Sequence, residues 1–111
     1  MDNPKISILI PAYNCAKFIR QCLSSILNQT YSNFEILISD DGSTDNTRAI
    51  IDGIDDKRIR RFHNNKNLGK NFICNSLFQN VKGDYVSVHD ADDFSHPKRF
   101  EMLLQFMELN T

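Results

Sequence analysis

The sequence predicts an α/β domain organised around a mainly parallel sheet of four strands. Four short runs of β-branched and other apolar residues alternate along the chain with four segments whose apolar residues recur at helical spacing. Strands separated by helices are joined by crossover connections, which are right-handed and make the strands parallel. A chain of 111 residues is long enough for one modest core. Residues 1–111 are therefore interpreted as a single domain.

The first strand and the first helix occupy residues 5–27. The segment KISILI, residues 5–10, is rich in β-branched residues and stops at Pro11. An amphipathic helix is predicted to follow, with Asn14 as its N-cap. Its apolar residues recur at i, i+3 and i+4; they are Cys15, Phe18, Ile19, Cys22, Leu23, Ile26 and Leu27.

The second strand, the second helix and the third strand follow. The segment FEILIS, residues 34–39, is the second strand, and Ser43 or Thr44 is the predicted cap of a helix with Asp45 in its first turn. The short apolar face of this helix consists of Ile50, Ile51 and Ile54. The segment RIRRFH, residues 58–63, alternates in polarity and predicts an edge strand buried on one side.

The remaining elements are a third helix, a fourth strand and a last helix. The third helix is predicted over Gly69 to Gln79, and DYVSVH, residues 84–89, is the fourth strand. Pro97 suits the first position of the last helix, after Ser95 or His96 as cap.

The last helix is apolar around most of its circumference. One stripe consists of Phe100, Leu103, Leu104 and Met107, and a second face consists of Met102, Phe106 and Leu109. A helix with two apolar faces is expected to be covered on more than one side. We therefore expect self-association through this helix, or a domain truncated after the Asp-x-Asp segment described below.

Composition excludes several classes of protein. Thirteen basic and fourteen acidic residues give a net charge of −1, whereas nucleic-acid binding usually needs a basic surplus. The apolar run from Ile6 to Ile10 is too short for a signal peptide or a membrane span. No nucleic-acid partner is expected, and the location is expected to be cytoplasmic, either free or peripheral at the inner membrane face. The three cysteines lack a CxxC spacing and are expected to be free thiols.

Candidate binding segments follow three of the four predicted strands. Pro11 to Asn14 follow the first strand, Asp40 to Ser43 follow the second, and Asp90 to Asp93 follow the fourth. The carboxyl ends of parallel strands meet at one edge of the sheet, where α/β proteins bind ligands. The functional site is therefore expected at this edge.

The segment after the fourth strand is acidic. Asp90 and Asp92 are alternate residues and Asp93 adjoins them, so their carboxylates repel one another unless a positive charge lies nearby. Mg²⁺ or Mn²⁺ prefers such oxygens, together with phosphate and water. The pattern predicts a divalent-metal site that offsets the charge of a diphosphate. The alternative is a solvated acidic loop that caps the last helix.

The other two segments suit a nucleotide. A carboxylate at Asp40 or Asp41 could accept hydrogen bonds from a base or a ribose, as acidic groups do in other nucleotide-binding α/β folds. Tyr13 offers a ring for stacking on a base, and Pro11 restricts the path of the chain as it leaves the strand. The alternatives are an ordinary turn rich in Asp, Gly and Ser, and a common loop.

Taken together, these segments resemble the family 2 glycosyltransferases, a large and mostly inverting GT-A family that uses nucleotide-diphosphate sugars. The resemblance is collinear over nearly the whole chain and is carried by SILIPAYNCAKFIRQCLSSILNQTYSNFEILISDDGSTDNT, NLGKNFICNSL and KGDYVSVHDADD. It implies a partial GT-A fold, which is a Rossmann-like three-layer sandwich. The four-stranded sheet is expected in the order 3-2-1-4, with helices on both faces.

The resemblance also implies roles in binding the nucleotide. Tyr13 would lie against the base, normally uracil, and Asp41 would accept a hydrogen bond from it, while Asp40 would help to hold the loop or the ribose. Many relatives carry Arg at the position that Cys74 occupies here. Lys70, one turn earlier on the same helix, is the expected substitute for this basic contact with the nucleotide or diphosphate.

For the metal, the resemblance implies that Asp92 is a ligand. Asp90 would contact the ribose or the water shell of the metal, and Asp93 would support the metal or the donor sugar. In the family, the general base and most of the acceptor site come from the half of the domain after this segment. The catalytic base is therefore expected beyond Thr111.

The implied function is transfer of a sugar from a nucleotide-diphosphate donor, with a UDP-sugar favoured, to a hydroxyl of a saccharide or lipid-linked acceptor in polysaccharide or glycoconjugate synthesis. A sugar nucleotidyltransferase would need a glycine-rich basic loop after the first strand, and PAYNCAKF has no glycine. A receiver-like signalling domain would place an acidic pair there. A non-catalytic nucleotide-binding domain stays open, and the length of the parent reading frame would separate it from an enzyme.

Overall fold

Strands and helices alternate along the chain as the sequence predicts. The computed structural model describes residues 3–109. Its elements, in chain order, are β1 (Ile6–Ala12), α1 (Ile19–Leu27), β2 (Phe34–Asp41), α2 (Thr47–Asp52), β3 (Ile59–Asn64), α3 (Lys70–Phe78), β4 (Tyr85–Val88) and α4 (Arg99–Leu109).

The sheet is parallel throughout, in the order β3-β2-β1-β4. This confirms the predicted order. β1 does not stop at Pro11, because pairing with β2 continues to Ala12 opposite Asp40. The last pair with β4 is Leu9 with Val88, so Pro11 has a neighbouring strand on one side only, where a missing N–H is tolerated.

Helices cover both faces of the sheet, which confirms the three-layer arrangement. Alternate residues of β1 and β2, such as Ile8 and Ile36, pack in the larger core with side chains of α1, α2 and α4. The intervening residues Leu9 and Leu37 face the other way and pack against Ile73 and Leu77 of α3. Because alternate strand residues point to opposite faces of the sheet, α3 covers the face that carries Leu9 and Leu37, and the other helices cover the opposite face.

The start of α1 differs from the prediction. Asn14 has a left-handed backbone with φ 47°, so it does not cap the helix, and the regular helix begins only at Ile19. The segment before it forms a turn, in which the N–H groups of Phe18 and Ile19 donate to the carbonyl of Cys15. The Cys15 N–H itself donates to the Thr47 hydroxyl, so a contact across the sheet edge replaces the predicted cap.

The cap of α2 is also different from the prediction. Neither Ser43 nor Thr44 caps this helix, which begins at Thr47. The Asp45 carboxylate accepts hydrogen bonds from the Thr47 N–H at 2.9 Å and from its hydroxyl at 2.6 Å. Ser43 instead accepts from the N–H of Asn14, because the two loops at the sheet edge bind one another.

The last helix buries one apolar stripe and exposes another. The chain turns at Pro97, where the His96 ring accepts a hydrogen bond from the Lys98 N–H, and regular α4 follows from Arg99. Phe100 and Leu104 are buried, whereas the exposed face consists of Met102, Phe106 and Leu109. Within residues 3–109, no helix has both the length and the apolar character needed to cross a membrane.

Candidate functional site

The predicted site residues meet around a cavity of about 670 Å³ at the carboxyl edge of the sheet. The cavity is lined by Pro11, Ala12, Tyr13, Asn14, Cys15, Phe18, Asp41, Asn67, Gly69, Lys70, Asp90, Ala91 and Asp92. Of the predicted residues, Asp40 and Asp93 are not part of this wall. The convergence follows from topology, because these residues lie at the carboxyl ends of adjacent strands, in the segments that follow those strands, and around the start of α3.

The loops after β1 and β2 are bound to each other on one side of the cavity. The Asn14 N–H donates to the Ser43 hydroxyl at 3.0 Å, and the Thr44 N–H donates to the Asn14 side-chain oxygen at 2.8 Å. The Ala16 N–H donates to the Asp45 carboxylate at 3.2 Å. The wall that carries Tyr13 is therefore positioned by hydrogen bonds from the neighbouring loop.

Asp41 joins the end of β2 to the start of α3. Its side chain is buried, and its two oxygens accept the N–H groups of Leu68 at 2.8 Å and Gly69 at 3.0 Å. Gly42 follows with φ +73°, and a Cβ there would lie 2.5 Å from the Lys66 carbonyl carbon. The loop before α3 thus packs closely on the turn after β2. The Asp41 carboxylate faces the cavity while it holds this loop.

Asp40 points to the opposite face of the sheet from Asp41. It is 2% exposed, and its Oδ1 accepts a hydrogen bond from the Ser43 N–H at 3.3 Å. Asp40 therefore contacts the turn after β2 and does not line the cavity.

Aromatic side chains form the apolar part of the cavity wall. Tyr13 is 47% exposed and Phe18 is 45% exposed. Phe18 was not predicted as a site residue, because its position in the helical series of α1 predicted a core residue. Asn67 was also missed, and no periodic pattern would have identified it.

A lysine supplies positive charge to the acidic segment. Lys70, the first residue of α3, donates from Nζ to Asp90 Oδ1 at 2.6 Å. This hydrogen bond is the main reason that the pKa of Lys70 is raised and the pKa of Asp90 is lowered from their ordinary values. Both side chains are more than half exposed, so the ion pair is solvated and its lysine is accessible to a ligand anion.

Three carboxylates lie close enough to hold one metal ion. Asp90, Asp92 and Asp93 are exposed, and each offers an oxygen within 4.8 Å of the others. The chain turns there, with the Asp93 N–H donating to the Asp90 carbonyl. Oxygens on opposite sides of an octahedral Mg²⁺ are about 4.2 Å apart. Small rotations of exposed side chains would bring this all-oxygen set to that spacing, so the residues fit a hard divalent ion.

His89 contacts the backbone of the acidic segment from the protein interior. It is buried, and its Nδ1 lies 2.8 Å from the Asp90 carbonyl, while its Nε2 lies 2.6 Å from the Ser95 hydroxyl. Burial is the main cause that lowers the pKa of His89. Burial likewise raises the pKa of the adjacent Cys22 thiol to about 12. All three cysteines are free, and this thiol is held in its protonated, unreactive form.

Comparison with known proteins identifies the family. The family description that matches residues 7–111 is Glycosyl transferase family 2. The chain belongs to this family. A glycosyltransferase of Haemophilus influenzae, itself uncharacterized, is 39% identical over 99% of this chain and 45% of its own length. The chondroitin synthase of Escherichia coli is 42% identical over 91% of this chain. The chain spans only 15% of that synthase and less than half of the Haemophilus relative.

Solved structures show the same fold. Staphylococcus aureus TarS in complex with UDP superimposes with a TM-score of 0.85 and 27% identity, over 94% of this chain and 32% of that chain. The mannosyltransferase PcManGT from Pyrobaculum calidifontis, in complex with GDP-Man and Mn²⁺, gives a TM-score of 0.76 and 26% identity, over 83% of this chain and 28% of that chain. The fold of this chain is therefore that of GT-A glycosyltransferases.

Proposed function

We propose that this chain supplies the donor site of a metal-dependent glycosyltransferase that uses a nucleotide-diphosphate sugar. The observation that carries the proposal is the meeting of an aromatic wall, a carboxylate and an acidic cluster around one cavity after adjacent parallel strands. The parent reaction is transfer of the sugar to an acceptor hydroxyl, with inversion at the anomeric carbon. The acceptor is a saccharide or a lipid-linked saccharide.

The nucleoside would bind between Tyr13 and Asp41. Tyr13 is half exposed on the cavity wall and offers a face on which a base can stack. The Asp41 oxygens accept loop N–H groups, and each carboxylate oxygen keeps a second lone pair for another donor. Uracil has an imide N–H that suits such an acceptor. We therefore favour UDP, which is also the ligand of TarS.

The diphosphate would lie between Lys70 and the acidic segment. The Lys70 ammonium is exposed beside Asp90, and Lys70 also begins α3, whose first N–H groups favour an anion. Asp92, Asp90 and Asp93 would hold Mg²⁺ or Mn²⁺, which would supply positive charge for the leaving diphosphate. Lys70 would contribute a second positive charge that remains bound to the protein.

In the reaction, the oxygen of an acceptor hydroxyl forms a bond to the anomeric carbon. The bond from that carbon to the diphosphate oxygen breaks, and UDP leaves with the electron pair. The acceptor proton passes to a general base. His89 is buried and hydrogen-bonded on both ring nitrogens, which argues against it as this base. We propose that the base is a group other than the residues that line the donor cavity.

Calorimetric titration of this chain with UDP and with GDP, each with and without Mn²⁺, tests the proposal. UDP should bind more tightly than GDP, and Mn²⁺ should strengthen UDP binding. Tighter binding of GDP would contradict the assignment of the base pocket. An affinity for UDP that is the same with and without Mn²⁺ would contradict the metal site.

We further propose that copies of this chain associate through the exposed face of α4. Met102 is 60% exposed and Leu109 is 86% exposed on a helix whose opposite stripe is already buried. Exposed apolar patches of this kind commonly mark interfaces. Sedimentation velocity should show a dimer that Met102→Glu converts to a monomer. A monomeric wild-type chain at all concentrations tested would contradict the interface.

A further inference from the structure

His63, at the end of β3, has an unusual environment beside the cavity. Among residues 3–109, its Nδ1 is the buried side-chain polar atom that lacks a hydrogen-bond partner. Buried polar atoms are nearly always hydrogen-bonded, because an unpaired one costs free energy. An exception of this kind points to a role for the ring beyond packing.

Two carboxylates flank the His63 ring. Asp40 is its cross-strand partner in the sheet, and Asp40 Oδ2 lies 4.0 Å from Nδ1. Asp52, the last residue of α2, has Oδ1 3.1 Å from Nε2. A neutral imidazole carries a proton on one nitrogen, whereas the charged ring carries one on each. A second proton would therefore direct an N–H toward each carboxylate and turn the 4.0 Å approach into a charge-assisted contact.

The Asp40 carboxylate would be stabilised most by this second proton on the His63 ring. It is almost completely buried, and the hydrogen bond that it accepts from Ser43 is long at 3.3 Å. A buried carboxylate is costly without close donors. Arg61 lies on the same face of β3, but its guanidinium donates to the carbonyls of Ile51 and Ile54 at the end of α2.

The other charged groups near the ring belong to α2 and β2. Asp52 also forms an ion pair at 4.0 Å with Arg48, one turn earlier on α2. Asp41, the neighbour of Asp40 in β2, points to the opposite face of the sheet and binds the loop before α3.

Hydrogen bonds connect Asp40 to the cavity wall. Asp40 accepts from the Ser43 N–H, the Ser43 hydroxyl accepts from the Asn14 N–H, and Asn14 lines the cavity next to Tyr13. We propose that His63 is a positioning residue of the donor cavity. Its protonated ring bridges Asp52 and Asp40, and the bridge holds the connection from Ser43 to Asn14. Nucleotide binding therefore depends on pH. The effect on nucleotide binding rests on the function proposed above.

The test compares UDP affinity at pH 8 and pH 6 for wild type and His63→Gln. Wild type should bind UDP more tightly at pH 6 than the variant by about fivefold, at the lower end of typical coupling between sites, and the two should converge at pH 8. Titration of the UDP phosphate is common to both proteins and cancels in the comparison. His96→Gln removes an exposed imidazole outside this network and should behave as wild type.

Two further variants separate the bridge from general effects on α2. Asp52→Asn removes the outer carboxylate at an exposed position and should reduce the pH dependence. Arg48→Gln removes the ion pair of Asp52 without touching the ring and should retain it. Equal pH dependence in wild type, His63→Gln and Asp52→Asn would overturn the proposal.

A second measurement needs no nucleotide. In NMR spectra of the ¹⁵N-labelled chain, the amides of Ser43 and Asn14 should titrate together with the His63 ring, and they should lose that titration in His63→Gln. Amides that do not follow the ring would overturn the positioning role. If wild type binds no nucleotide at any pH, the proposed function is wrong, and the amide titration decides separately whether His63 positions this loop.

Discussion

Lys70 donates a hydrogen bond from Nζ to Oδ1 of Asp90 at 2.6 Å, and this ion pair joins the start of α3 to the loop after β4. The ion pair offsets part of the repulsion among the three carboxylates of the acidic segment, because one of them already has a cation beside it. The pair also crosses the edge of the cavity where we place the diphosphate. Its lysine is therefore expected to act on the ligand more than on the fold.

Lys70→Gln should weaken UDP binding at least severalfold while changing the free energy of unfolding by less than about 1 kcal/mol, the usual limit for an exposed ion pair. Calorimetry and urea denaturation measure the two effects. Lys57→Gln is the matched control, since Lys57 is exposed on the loop before β3, at the opposite edge of the sheet. A variant that loses stability but keeps its affinity would show that the ion pair is structural.

Asp92→Ala should abolish the effect of Mn²⁺ on UDP affinity and leave the fold intact, because Asp92 is exposed and is a proposed ligand of the ion. Titrations with and without Mn²⁺ measure the effect, and circular dichroism reports the fold. Asp55→Ala, which removes an exposed carboxylate before β3, is the control. Equal enhancement by Mn²⁺ in wild type and Asp92→Ala would exclude Asp92 from the site.

Asp41→Asn should weaken UDP binding by about 1–3 kcal/mol, the usual cost of losing a charge-assisted hydrogen bond. The structure adds a second consequence. One of the acceptors that hold the Leu68 and Gly69 N–H groups becomes an amide donor, so hydrogen exchange of these two amides should accelerate. Unchanged UDP affinity together with faster exchange would mean that Asp41 serves the loop alone.

Gly42→Ala and Gly69→Ala form a matched pair. Both glycines have positive φ, but a Cβ at Gly42 would lie within 2.7 Å of the Lys66 and Asn67 backbone, whereas a Cβ at Gly69 meets nothing within 4 Å. Gly69→Ala should cost about 1–3 kcal/mol of stability from the backbone alone, because φ 96° with ψ 150° is a conformation that essentially only glycine adopts. Gly42→Ala should cost more and should also weaken UDP binding, because the loop before α3 must move. Equal losses of stability in denaturant titrations would contradict the steric argument.

Glu35 should make stability fall in acid. Burial alone would raise the pKa of this side chain, but hydrogen bonds from the Ser7 hydroxyl, the Lys82 N–H and Arg60 lower it overall. A carboxylate whose pKa is lower in the folded state stabilises the protein above its unfolded pKa of about 4.3. This stability is lost as the pH falls through the lowered folded value.

The measurement is urea denaturation of wild type and Glu35→Gln between pH 7 and pH 3. Glu35→Gln should be less stable at pH 7 by about 1–3 kcal/mol, and the difference should shrink as the pH falls. Asp55→Asn, at an exposed position, controls for the loss of one negative charge. A difference that is constant over this pH range would show that Glu35 is not the titrating group.

Local patterns were sufficient for most of the fold. The apolar runs of β1 and β2 and the two-residue alternation that separates Ile8 from Leu9 follow from which residues avoid water. The exposed second face of α4, with Met102 and Leu109, also follows from helical periodicity. The rules for connecting parallel strands then predicted that Tyr13, Asp41 and Asp90 lie at one edge of the sheet, without any knowledge of their side-chain contacts.

Tertiary structure decided the contacts between segments that are distant in sequence. Asn14 and Ser43 looked like local helix caps, but each binds the other's loop, because two loops packed at one edge satisfy each other's backbone groups. The partners of His63 and the lysine that pairs with Asp90 likewise come from other elements. By itself, the sequence determined most of the buried positions and which segments meet, since both depend on local periodicity; Phe18, which periodicity predicted to be buried, is an exception. Which donor faces which acceptor depends on distances of a few ångströms that only the packed chain establishes.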